Sequence, residues 1–190
     1  MIGITGKAGS GKDYTYRKLV EAFPTRKFAN HKFSDLVKWN IEDAIANNDW
    51  EPLEHLWRKP YSPEVRALLQ WWGTDLRRRE SQDYWVNKMH AQMMDAISMG
   101  TIRVVTDVRY ANEVKLILDL GGLIIRTYAE KDVRAKRLNM TREELDLMSR
   151  HESEQEMPPS WVDHHVYSNS EQDWEASGIV EKVKDFINYA

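Results

Sequence analysis

Cysteine is absent from this chain of 190 residues. Its absence excludes disulfide frameworks, thiolate metal centres and cysteine nucleophiles together, and it fits a reducing compartment. Long apolar runs are missing too. Charges interrupt even Leu116 to Ile125, so no segment approaches the roughly 18 residues of a membrane span. The opening Met1-Ile2-Gly3-Ile4-Thr5-Gly6 has neither the charged flank nor the apolar length of a signal peptide. A positive excess is also lacking: 27 Lys and Arg face 30 Asp and Glu, a net charge of −3. That balance disfavours a protein that coats nucleic acid. No internal repeat, low-complexity tract or linker breaks the chain. What is present is 42% apolar residues and eight tryptophans, enough for one compact domain with a real core and unlike a disordered chain. The expectation is a soluble, cytoplasmic, single-domain protein over residues 1–190.

The apolar pattern reads as strands alternating with helices. Met1–Thr5 is a short strand leading into glycines, and Leu19, Val20 and Phe23 give a helical face that ends before Pro24. Lys27–Phe33 reads as a second strand, and Ser34 or Asp35 as the N-cap of a helix to about Ala46. Asn47–Pro63 reads as loop, with a short helix around Leu53–Trp57. Val65, Leu68, Leu69, Trp72 and Leu76 recur at helical spacing, as do Trp85, Val86, Met89, Met93 and Ile97 before Gly100. Thr101–Thr106 is a buried strand ending at Asp107, followed by a helix through Val114, Ile117 and Leu118 and a strand at Leu123–Thr127. Lys131–Arg150 reads as one charged helix carrying Arg134, Arg137, Arg142 and Arg150, with Arg126 just upstream. A short strand at His165–Ser168 and a closing amphipathic helix complete the chain. The alternation predicts an α/β fold with a parallel sheet covered on both faces.

The most specific motif is Gly6-Lys7-Ala8-Gly9-Ser10-Gly11-Lys12-Asp13. It has the spacing G-x-x-x-x-G-K, directly after a strand and before a helix, the context that a phosphate-cradling loop requires. Glycines let successive amides turn toward one point, and the helix adds its unsatisfied N–H groups and positive dipole end. Lys12 would reach the β- and γ-phosphates of a nucleotide. The residue after the lysine is ordinarily Ser or Thr, a Mg²⁺ ligand, whereas here it is Asp13. Direct ligation, ligation through water and helix capping all remain open for it, and Thr15 is the nearest hydroxyl beyond. Asp107, at the end of a hydrophobic strand, is the second candidate for the metal.

The segments Gly73-Thr74-Asp75-Leu76-Arg77-Arg78, Asp83-Tyr84-Trp85-Val86 and Thr106-Asp107-Val108-Arg109-Tyr110-Ala111-Asn112-Glu113 resemble those of phage-type deoxynucleoside monophosphate kinases. That family is a branch of the P-loop nucleoside monophosphate kinase fold, near dephospho-coenzyme A kinase. Phe33-Ser34-Asp35-Leu36-Val37-Lys38, Leu68-Leu69-Gln70 and Ser153-Glu154 extend the likeness, which is weakest over residues 47–62. In this family the loop often reads Gly-Lys-Asp, which accounts for Asp13. The resemblance implies a three-layer P-loop fold, a helical acceptor-binding insert at about 47–100 and an arginine-bearing lid at about 130–156. It implies ATP as donor, Mg²⁺ as cofactor, a deoxynucleoside monophosphate (dNMP) as acceptor and, for a phage-encoded chain, the host cytoplasm. A homodimer is compatible with it.

ATP contacts are then expected from Gly6, Ala8, Gly9, Ser10, Gly11, Lys12, Asp13, Tyr14 and Arg134, with Asn169 near the adenine base. Acceptor contacts are expected from Asp35, Lys38, Arg66, Gln70, Arg78, Trp85, Arg109 and Asn112. Phosphoryl transfer is mostly positioning and neutralisation of charge. Arg66, Arg78 and Arg109 therefore suit a bidentate clamp on the acceptor phosphate. Arg134 and Arg137, on one helix face, suit closure over the transferring group. Lys12, Asp35, Arg109, Arg134 and Arg137 form the expected catalytic set. Plainer roles stand beside these: a helix N-cap for Asp35, a solvated charge run for Arg77-Arg78-Arg79, a surface helix for Arg134 and Arg137. His151, His164 and His165 lack zinc spacing and read as surface or packing residues, as does Trp71. Rival functions are a kinase on dephospho-coenzyme A or a modified-base nucleotide, and a nucleotide-binding switch without an acceptor.

Overall fold

The computed structural model describes residues 1–46, 57, 58, 61–95, 100–154 and 157–189. These fall into two compact units, one within Met1–His31 and Ser98–Ala190, the other within Lys32–Ile97. The first unit holds a five-stranded, all-parallel sheet in the order β2-β3-β1-β4-β5. Its strands are β1 Ile2–Thr5, β2 Lys27–His31, β3 Thr101–Val108, β4 Leu123–Tyr128 and β5 His164–Tyr167.

Alternation along β1 decides which helix covers which face. Ile2 and Ile4 join Leu19 of α1 (Lys12–Ala22), Trp174 of α9 (Glu171–Ala176) and Ile179 and Val183 of α10 (Ile179–Tyr189) in one buried cluster. Gly3 faces the other way. A Cβ there would meet Ile117 Cδ1 of α6 (Ala111–Asp119) at 2.5 Å, so the missing side chain lets that helix lie close. The result is the expected three-layer α/β arrangement. The chain leaves β1 toward β2 on one side of the sheet and leaves β3, the neighbour of β1, toward β4 on the other. This reversal opens a crevice at the C-terminal ends of β1 and β3, where open α/β sheets bind ligands.

The second unit is helical, with α2 Phe33–Ala46, α3 Pro63–Gln70, α4 Arg77–Glu80 and α5 Tyr84–Asp95. Ser62 caps α3 by accepting from Val65 N–H at 3.3 Å. The predicted helix through Leu76 is present but changes pitch to a π-helix over Trp71–Leu76. Trp85 is buried, and its indole N–H donates to the Gly73 carbonyl at 2.7 Å within that wider turn. Inserted residues of this kind shift a helix's register and expose carbonyls to side-chain donors.

Several boundaries differ from expectation. β2 ends at His31, and α2 starts at Phe33, so Asp35 lies inside the first turn of α2 rather than at its cap. The single helix expected over Lys131–Arg150 is two, α7 Lys131–Leu138 and α8 Arg142–Met148. Asn139 closes α7 in the left-handed region at φ 52°, and Thr141 caps α8 in a reciprocal box with Glu144. α9 was not foreseen; Ser170 and Asp173 cap it in the same way. The short helix expected around Leu53–Trp57 lies for the most part outside the described residues. No helix among the described residues is long and apolar enough to cross a membrane.

Candidate active site

The loop between β1 and α1 has the form that its glycines predict. Gly6, Gly9 and Gly11 all have positive φ. Gly6 is the most constrained: at φ 138°, an added Cβ would collide with the Thr127 carbonyl oxygen, and at Gly11, φ 96°, one would sit 2.5 Å from Ser168 Oγ. Lys12 turns back over the loop and donates to the carbonyls of Gly6 at 2.5 Å and Lys7 at 3.0 Å. Strand ends fix the loop from below. The buried hydroxyls of Ser10 and Thr127 share a hydrogen bond of 2.6 Å, and Ser168 Oγ donates to the Ser10 carbonyl at 2.7 Å.

Arginines reach the loop from α7. Arg134, buried, donates through Nε to the Ala8 carbonyl at 2.8 Å. Arg137 donates to the Gly9 carbonyl at 3.1 Å and to the Ser168 carbonyl. The expected shared face of Arg134 and Arg137 is therefore the one turned toward the phosphate loop. On the β3 side, Arg109 pairs with Glu154 and donates to the Ser153 carbonyl at 2.9 Å. Glu154 is 5% exposed, and its other carboxylate oxygen accepts from Ala8 N–H at 2.8 Å. One carboxylate thus joins the loop to Arg109. Buried Glu113 sets the turn before α6 by accepting from the amides of Arg109 at 2.7 Å and Tyr110 at 3.1 Å.

The charges act on one another. Burial first, and then Arg109, push the Lys12 ammonium down to about 7, while Glu154, Asp107 and Asp13 oppose the shift. Burial would raise the Glu154 carboxyl, but Arg109, the Ala8 amide and Lys12 together hold it below its ordinary 4.5. Arg109 is opposed by burial and held above its ordinary value by Glu154 and Asp107. Asp13 lies in the first turn of α1, directly after the loop, and Asp107 near the end of β3, the strand paired with β1. Among the described residues no three His, Cys, Asp or Glu side chains group to hold a metal. Two carboxylates completed by phosphate and water oxygens suit Mg²⁺, which keeps much of its hydration. Thr15 is not part of this set: it is buried, and its hydroxyl accepts from Trp174 Nε1 at 3.1 Å.

Beside the loop lies a cavity of about 170 Å³, lined in part by Gly6, Lys7, Arg109, Arg126, Arg134 and Glu154. The sequence reading assigned no role to Arg126 or to Glu154. Arg126 is 4% exposed, donates to Tyr128 Oη at 2.9 Å and also bonds the Met157 carbonyl. A cation inside the apolar strand Leu123–Tyr128 was the signal. Glu154 belongs to the Ser153-Glu154 pair that extends the family likeness, but its partners lie 146 and 45 residues away and have no local signal.

The remaining expected residues divide between the units. Asn112 lies in the first turn of α6, in the sheet unit with Arg109. Asn169 exchanges hydrogen bonds with Glu130, accepting from its amide at 2.7 Å, and so ties the end of β5 to the start of α7. Tyr14 packs edge-on against Trp174. In the helical unit Lys38 pairs with Asp35 at 2.7 Å and lies 5.9 Å from the Tyr61 ring. Arg66 Nε donates to the Tyr61 carbonyl at 3.4 Å, Gln70 ends α3, and Arg78 donates to the Gln82 carbonyl at 3.3 Å. Trp85 was expected to contact the acceptor. At 1% exposure, with its N–H already bonded, it is a core residue of the helical unit. Trp71 is 51% exposed, whereas Trp72 donates to Asn40 at 3.0 Å. His164 bonds the Ser177 carbonyl and His151 bonds Ser153, in keeping with packing roles.

No protein-family model matches the sequence, and no curated protein matches it. Solved structures do resemble the fold. The protein TT1252 from Thermus thermophilus is 15% identical, with 97% of this chain and 96% of that one covered at a TM-score of 0.57. A shikimate kinase from Bacteroides thetaiotaomicron is 13% identical, with 98% and 97% covered at a TM-score of 0.50. Likeness at such low identity is one of fold, and the shared fold is a three-layer α/β architecture with an all-parallel five-stranded sheet.

Proposed function

We propose that the protein is a Mg²⁺-dependent phosphotransferase that moves the terminal phosphoryl group of ATP to a deoxynucleoside monophosphate. The observation that carries the donor side is the convergence on one loop of Lys12, Arg134, Arg137 and the Arg109–Glu154 pair. The acceptor class rests on the resemblance of residues 73–78, 83–86 and 106–113 to the phage-type kinases.

In this reading the loop amides and Lys12 hold the β- and γ-phosphates. Arg134 and Arg137 brace the loop's carbonyls, so its amides stay turned toward the ligand, and they exclude water that would hydrolyse ATP. Asp13 and Asp107 would hold Mg²⁺, which neutralises charge on the phosphates when bound. Transfer breaks the bond from the γ-phosphorus to the β–γ bridging oxygen and forms one to an oxygen of the acceptor phosphate, giving ADP and a diphosphate. That acceptor oxygen is already ionised, so no strong base is required. Arg109 and Asn112 are the proposed acceptor contacts of the sheet unit; for Asp35, Lys38, Arg66, Gln70 and Arg78 the proposal rests on the family resemblance alone.

A coupled ADP-release assay with each common dNMP, dephospho-coenzyme A and no acceptor tests the proposal. ADP release that depends on a dNMP is expected. Release only with dephospho-coenzyme A would move the acceptor class, and slow release indifferent to any acceptor would indicate a switch.

A further inference from the structure

Glu154 stands where an anion is not expected. The amides of a phosphate loop form a concave donor surface for negative ligands, and here Ala8 N–H is already bonded to a carboxylate at 2.8 Å. That carboxylate is almost fully buried and pairs with Arg109. Lys12, the loop group that serves the outer phosphates, also lies within its field. The position is built rather than incidental. The Arg109 guanidinium that holds Glu154 also bonds the Ser153 carbonyl at 2.9 Å, and His151 Nδ1 bonds Ser153 N–H at 3.2 Å, shaping the turn that presents Glu154. A polyphosphate entering this loop meets a like charge on one of the donors it would use.

We infer that Glu154 is an internal stand-in for the outermost phosphate of the nucleotide: it occupies the Ala8 amide and Arg109 while the loop is empty, and ATP displaces it. This rests on the proposed donor site. The exchange gives the loop a satisfied amide and Arg109 a counter-charge before ligand arrives. It then frees Arg109, expected at the acceptor phosphate, when the triphosphate binds. Discrimination between ATP and ADP follows, because only the longer chain competes at the outer end.

Calorimetric titration of the full chain with ATP and with ADP, at fixed Mg²⁺, tests the exchange in wild type, Glu154→Gln and Glu154→Asp. Glu154→Gln removes the competing charge. Glu154→Asp retains a counter-ion for Arg109 but is one methylene too short for the Ala8 bond, which keeps the test available if the glutamine variant fails to fold. ATP should bind about tenfold tighter to Glu154→Gln, the order of one charge-assisted hydrogen bond. Glu154→Asp should fall between it and wild type, and ADP should change by less than about threefold across the series. Unchanged or weaker ATP binding in both variants would overturn the exchange and leave Glu154 as a brace for Arg109. Equal gains for ATP and ADP would also overturn it, as a diffuse charge effect. Failure of every protein to bind either nucleotide would overturn the donor site itself.

Discussion

The two units of this molecule use their charged side chains in opposite ways. In the sheet unit those around the loop bridge distant parts of the chain: Glu154 to Ala8 across 146 residues, Arg134 to Ala8 across 126 and Arg137 to Gly9 across 128. In the helical unit they mostly bond within a turn, as Lys38 with Asp35, Arg77 with Glu80 and Arg79 with Asp75. Two of its longer polar bonds meet at Asn40, which accepts from Trp72 and Arg77. A parallel sheet gathers strand ends at one edge, so groups remote in sequence can meet around a single loop. Short helices leave each charge to its neighbours three or four residues away. The proposed phosphate site is therefore assembled by topology, whereas Lys38, Arg66 and Arg78 of the helical unit are held by bonds within three to five residues.

Substitutions can break this contrast. The largest effect should come from Trp85→Ala, which removes the buried indole of the helical unit and its bond to Gly73. A loss of about 3–5 kcal/mol in denaturant unfolding is expected. A variant with wild-type stability and impaired acceptor affinity would return Trp85 to the binding surface. Next is Arg134→Ala, which releases the Ala8 carbonyl. Turnover should fall about a hundredfold, roughly 2.7 kcal/mol in the barrier, with the secondary structure intact by circular dichroism. Wild-type turnover would mean that the long-range bridge is ornamental.

The smallest effect concerns pH. The Glu154 carboxyl lies below 4.5 in the folded chain, so its contribution to stability is complete above that pH and fades as pH falls through the folded value. The stability gap between wild type and Glu154→Gln should then narrow only below about pH 4.5. A gap constant down to pH 3 would show that the ion pair is absent in solution.

The same contrast explains what could be read in the sequence. The loop was legible because Gly6, Gly11 and Lys12 lie within one short stretch, and each has a geometric reason for its place. The central strands β1, β3 and β4 were legible because they are largely buried apolar runs, whereas β2 and β5 at the edges are more polar and more exposed. The pairing of Arg134 with Arg137 followed from helical spacing. Glu154 escaped because nothing near it in sequence names its partners, and Trp85 was misassigned because an indole at a core position looks the same in sequence as one that stacks on a base. The break at Asn139 was available in Thr141 and Glu144, a capping pair hidden within a charged run.

The central claim is that residues 6–13 hold the phosphates of ATP for transfer, with Lys12 at the reacting end. Incubating wild type and Lys12→Ala with γ-labelled ATP and a dNMP, and separating the labelled products, tests it most directly. Wild type should yield labelled diphosphate. Lys12→Ala should yield none while unfolding thermally as wild type does, and undiminished labelled product from that variant would contradict the account.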